Sequence, residues 1–307
     1  MPEPVTISLT KYSFKCYNQR NKKGVKAPEK EHYRMKKFVK IISLMLIAVM
    51  TLAVFGACGS TEAEPESNVT AENTATGETL VMATNASFPP YEFVENNDFS
   101  GIDVEIAGLI AEKLGMVLKI EDVDFGSIIG GVQTGKFDIG MAGMTVTEDR
   151  LKSVNFSTSY AKGIQAIIVP ADSDITSFDD FFNADKTVKD IKIGVQQDTT
   201  GDIYCSDTVD NGGVGKDHVI QYKTGNDAVQ ALVSGKVDAV IIDNEPAKSY
   251  VASSSGLKIL DTAYAEEEYA ICVAKENTEL LDKINSALAD LTAEGKIDEI
   301  IAKYISA

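Results

Sequence analysis

The side chains best placed to do chemistry in this 307-residue chain fall in four short stretches. Residues 84–93 carry the amide Asn85 and the aromatic Phe88, and residues 143–150 run Gly143-Met144-Thr145-Val146-Thr147-Glu148-Asp149-Arg150. Residues 196–201 hold Gln196, Thr199 and Thr200, and residues 243–245 open on Asp243. A guanidinium offers two parallel N–H donors, a carboxylate accepts from cations or from the amides of a helix start, and neutral amides do both. Covalent and metal chemistry have less to work with. Two His cannot build a His-rich metal site and leave a His-dependent triad little room. Nucleic acid is a poor partner for a chain with 29 basic and 46 acidic residues, since tracking phosphates needs a basic excess. No cofactor and no metal are expected.

The stretches are selected by the elements that precede them. Residues 118–144 and 218–244 share a layout: a short strand (118–120, 219–222), a short helix (126–134, 226–234), a closing Gly135 or Gly235, then an apolar run (139–142, 239–242). The two closing glycines are 100 residues apart, the length of one lobe. Further strands precede each block at 80–83 and 191–195, and Ile102, Ile106, Leu109, Ile110 and Leu114 mark a helix between the first two strands. Strands alternating with helices imply a parallel α/β sheet in each lobe, with ligands bound at the carboxyl ends of the strands. Gly143 and Asp243 then stand at matching strand ends, and two such lobes facing each other make a cleft. Residues 269–275 read as one more apolar strand, followed by helices at 280–291 and 297–305. The chain is expected to return to the first lobe there.

Two other patterns lead nowhere. Gly130-Gly131-Val132-Gln133-Thr134-Gly135-Lys136 has P-loop spacing, but Phe137 stands where Ser or Thr is needed and Gly135 ends a helix instead of preceding one. Cys205 and Cys272 could pair outside the cell, but two cysteines without a framework do not require it.

Residues 1–57 are a different kind of sequence, with eleven basic residues against three acidic ones, so the remainder carries a net charge of −25. Lys36, Lys37 and Lys40 lead into the uncharged run 41–55, too short for the ~20 apolar residues of a membrane span, and then into Gly56-Ala57-Cys58. A charged start, a short apolar stretch and small residues make a secretory signal peptide over 35–57. The end of it resembles a bacterial lipoprotein signal, in which the cysteine, here Cys58, is lipidated and becomes the mature N-terminus. Residues 1–34 are expected to be an upstream extension before a true start at Met35. Residues 58–77 hold the lipid site and a flexible tether, too polar to fold.

In order along the chain come Thr84-Asn85-Ala86-Ser87-Phe88-Pro89-Pro90-Tyr91-Glu92-Phe93, Gly101-Ile102-Asp103-Val104-Glu105, Asp124-Phe125, the run from Ala142 to Arg150, and Asn155-Phe156-Ser157. From about residue 79 to the C-terminus the chain resembles the polar amino-acid substrate-binding proteins of ABC importers, solute-binding family 3. The resemblance implies an α/β, two-lobe periplasmic-binding-protein-like fold (type II) with two hinge strands and a ligand cleft between lobes. The first lobe would span 78–163 plus 270–307 and the second 164–269.

The same resemblance assigns roles. Arg150 matches the arginine that clamps the ligand α-carboxylate, and Asp243 the carboxylate that receives its α-ammonium. Gly143 and Thr145 match positions that offer backbone and hydroxyl groups to the ligand head. Phe88 and Phe125 match aromatic walls, and Thr199 and Thr200 a loop that meets the carboxylate at a helix start. Asn85 and Gln196 match variable positions facing the ligand side chain. Both are neutral amides, which favours a neutral polar side chain such as that of glutamine. The implied partners are a free L-amino acid, an ABC permease with its cytoplasmic ATPases, and the outer face of the bacterial cytoplasmic membrane through the lipid anchor. A monomer is expected. The alternatives are a cyclohexadienyl- or arogenate-dehydratase-like enzyme on the same fold, or a sensory ligand-binding domain.

Overall fold

In the computed structural model, residues 77–261 and 264–305 are described; Met35, Cys58 and the other leader features lie outside them. Strand β1 (Thr79–Thr84) enters a small meander of β2 (Ser87–Phe88), β3 (Glu92–Glu95) and β4 (Asp98–Ser100). Helix α1 (Ile102–Leu114) follows, burying Ile102, Ile106 and Ile110 at helical spacing and ending at Gly115 in the left-handed conformation. Then come β5 (Val117–Asp122), α2 (Ile128–Gln133), β6 (Ile139–Gly140), α3 (Arg150–Ser153) and β7 (Val154–Phe156). A 3-10 turn, Phe125–Ser127, replaces the start of the helix expected at 126.

The chain leaves this lobe along the long strand β8 (Ala161–Pro170). The second lobe contains β9 (Ile193–Gln196), α4 (Thr200–Ser206), β10 (Val219–Tyr222), α5 (Gly225–Val233), β11 (Ala239–Asp243), α6 (Asn244–Ser253) and β12 (Leu257–Ile259). It returns through β13 (Ala265–Tyr269) to β14 (Cys272–Ala274), α7 (Thr278–Ala293) and α8 (Lys296–Tyr304).

Besides the meander, the described residues form two larger sheets, ordered β5-β1-β6-β14-β7 and β10-β9-β11-β8-β12, with β13 paired on β8. In the first, β1 lies between β5 and β6, and in the second, β9 lies between β10 and β11, each pairing with both neighbours in parallel. The repeat seen in the sequence is this shared order. Such an order reverses direction between β1 and β6, and again between β9 and β11, which opens a crevice at the carboxyl ends of those strands.

The strand expected over 269–275 is two strands. Tyr269 pairs with Ala161 in the second sheet, whereas Cys272 pairs with Gly140 and Phe156 in the first. Ala270 and Ile271, both fully buried, carry the chain between lobes. An apolar run reports burial, not which sheet is entered, so the break left no mark. Cys205 and Cys272 are buried and free, Cys205 in α4 and Cys272 in β14.

Candidate ligand site

Each loop at those crevices is shaped by local chemistry. Arg150 is the first residue of α3 and donates its backbone N–H to Thr147 Oγ1 at 3.2 Å. Its guanidinium is buried: Nη1 donates to the Thr145 carbonyl at 2.8 Å and Nη2 to the Asp198 carbonyl, on the other lobe, at 3.1 Å. The group lies 5.3 Å from the centre of the Phe125 ring, a cation–π stack. Burial pulls its pKa below the usual value, while the Glu267 and Asp243 charges oppose that pull.

Asp243 ends β11 and precedes α6, the place of an N-cap, yet its side chain makes no capping bond. It accepts the Tyr269 hydroxyl instead. Burial and the neighbouring Glu267 push its carboxyl up to about 7, against the pull of the Tyr269 bond. Gly143 sits at φ +52, and a Cβ there would lie 3.0 Å from the Phe88 ring, so only glycine lets that wall close in. Its N–H donates to Asp103 Oδ2 at 2.8 Å, and the Thr145 hydroxyl donates to Glu267 Oε2 at 2.9 Å. With those hydrogens engaged, what Gly143 and Thr145 can present to a ligand is an acceptor oxygen.

The neutral amides meet across the lobes. Gln196 Nε2 donates to Asn85 Oδ1 at 2.9 Å, and Asn85 Nδ2 donates to the Val123 carbonyl at 2.9 Å. Thr199 caps α4, accepting from the Asp202 N–H and donating to the Gln196 carbonyl at 2.8 Å. Thr200, inside the first turn, is buried beside Gln165, whose Nε2 reaches its hydroxyl at 3.4 Å.

All ten residues singled out in the sequence, from Asn85 to Asp243, line one cavity of about 300 Å³, its mouth included. Two further residues line it, Ala142 and Glu92. Glu92 lay within residues 84–93, directly after the Pro89-Pro90-Tyr91 turn, but no spacing marked it as cavity-facing. Its register opposite Phe88 across the β2–β3 ladder places it there.

The family model for bacterial extracellular solute-binding proteins, family 3, matches residues 80–307. The chain belongs to this family. Among its relatives, the arginine-binding extracellular protein ArtP of Bacillus subtilis (strain 168) is 30% identical over 269 residues, covering 86% of this chain and 97% of ArtP. A solved ancestral arginine-binding protein bound to glutamine is 38% identical, with a TM-score of 0.67, covering 75% of this chain and 98% of that one. An ancestral amino acid-binding protein described as a precursor of cyclohexadienyl dehydratase is 30% identical, with a TM-score of 0.66, covering 74% and 95%. The two-lobe α/β architecture is shared throughout, and family membership makes this chain an extracellular solute-binding protein.

Proposed function

We propose that this protein is the capture subunit of an ABC importer, binding a free L-α-amino acid by lobe closure and delivering it to a membrane permease. The observation that carries the reading is the pair of buried, opposite charges facing one small cavity: Arg150 from the first lobe and Asp243 from the second. An amino-acid zwitterion supplies the complement of each, its carboxylate to Arg150 and its ammonium to Asp243, so closing the lobes leaves neither charge unpaired. The acceptor oxygens of Gly143 and Thr145 suit the same ammonium, while Phe88 and Phe125 flank the side chain. Asn85 and Gln196, both neutral, favour a polar side chain without charge, and glutamine is the ligand of one solved relative. The protein would work on the outer face of the cytoplasmic membrane, tethered by a lipid at Cys58.

Titration calorimetry with the common L-amino acids tests this directly. Binding is expected for a polar neutral amino acid and is lost in Arg150→Ala and Asp243→Ala. Turnover of prephenate or arogenate by the wild type would sink the transport reading in favour of an enzyme.

A further inference from the structure

Besides Asp243, two further carboxyl groups are buried at or next to the cavity. Glu92 begins β3, faces the same side of its hairpin as the aromatic wall Phe88, and lines the cavity. Asp103 lies in the first turn of α1, where its Oδ2 accepts the Gly143 N–H at 2.8 Å and the Tyr160 hydroxyl at 2.9 Å. The other oxygen, Asp103 Oδ1, is buried without a partner, and so is Glu92 Oε2. The two carboxyls stand within hydrogen-bonding reach of each other. A pair of ionised carboxylates in a dry site would repel; one proton shared by the pair relieves that.

The surroundings say which residue keeps it. Asp103 already receives two donors, which favours its charged form. Glu92 is faced by Asp103 from α1, Asp243 from the end of β11 and Asp122 from β5, with the phenols of Tyr91, Tyr160 and Tyr250 packed around; none of these is a cation. Burial and those carboxylates hold the Glu92 carboxyl well above the ordinary range.

We infer that Glu92 sets the charge class of the ligand side chain: joined to Asp103 through one shared proton it meets the cavity as a neutral acid, which suits a neutral polar side chain, and it must release that proton to pair with a guanidinium or ammonium. This rests on the amino-acid reading above. The balance is simple. Glutamine binds with the proton in place, whereas arginine binding converts the Glu92 acid to its carboxylate and sends one H⁺ to the buffer.

Calorimetry of arginine and of glutamine, in two buffers of different ionisation enthalpy and from about pH 6 to about pH 9, counts that proton. Asp243 meets the α-ammonium of both ligands, so the difference between them isolates Glu92. The expected result is about one more proton released with arginine than with glutamine, and an arginine-to-glutamine affinity ratio that climbs toward tenfold per pH unit. Glu92→Gln flattens the ratio. Asp103→Asn, a positioning change that removes the competing charge, moves the climb to lower pH, which a merely structural role for Asp103 would not do. If that variant does not fold by circular dichroism, the wild-type proton count and Glu92→Gln still decide. Equal proton counts, a flat wild-type ratio, arginine failing to bind at any pH, or a slope surviving in Glu92→Gln would overturn the proposal alone. Failure of every L-amino acid to bind would overturn the underlying reading instead.

Discussion

Arg150 and Asp243 are each held by the protein before any ligand contact is counted, Arg150 by two backbone carbonyls and Asp243 by the Tyr269 hydroxyl. A group oriented in advance loses less freedom on binding, and a planar fork cannot be copied by a single ammonium. Arg150→Lys is therefore expected to weaken amino-acid binding by about 1.5–3 kcal/mol, roughly tenfold to more than a hundredfold, in calorimetry. Asp243 adds a pH dependence. Its carboxyl, raised to about 7 in the free protein, must be ionised to receive an ammonium, so affinity for a neutral amino acid should fall as pH drops below about 7, approaching tenfold per unit. Constant affinity between about pH 5 and about pH 8 would contradict that role. The ten cavity residues were legible because they sit in four loops at strand ends or, for Phe125, in a recognisable dipeptide. Glu92 was not, because an acidic residue after a turn looks like any exposed hairpin residue until its pairing with Phe88 is known.

Strands β8 and β13 form the antiparallel crossing between lobes, and Gly163 lies within it, opposite Glu267. A Cβ there would lie 2.2 Å from Tyr269 Oη, the hydroxyl that holds Asp243. Gly163→Ala should thus destabilise the fold by about 1–3 kcal/mol in urea titration and weaken ligand binding as Tyr269 is displaced. An unchanged midpoint and affinity would mean that the crossing yields easily. Helix α1 and the parallel strands were readable from periodicity alone, since each buries one face or a continuous run. The split between β13 and β14 was not readable, because Ala270 and Ile271 are as apolar as the residues on either side.

For the whole molecule, the buried acids Glu92, Asp103 and Asp243 all bind protons more tightly folded than unfolded, with burial the leading cause. Between about pH 4 and about pH 7 the native state therefore carries more protons than the unfolded chain, and stability falls as pH rises through that window. A higher melting temperature at pH 5 than at pH 8 is expected in thermal scans, with the reverse order counting against buried, raised carboxyls. Small-angle scattering should show compaction when a bound amino acid favours the closed lobes, and identical profiles would exclude closure as the capture step.

Strand β14 lies between β6 and β7, yet it is separated from them by the entire second lobe. While the chain is being made, the first sheet must wait with a missing middle strand, its β6 and β7 edges bare, until residues 272–274 emerge. The second lobe lacks no strand by then. Synthesis therefore completes the later lobe first and the earlier lobe last, and a chain cut between β13 and β14 should retain one finished half and one sticky, open-edged half.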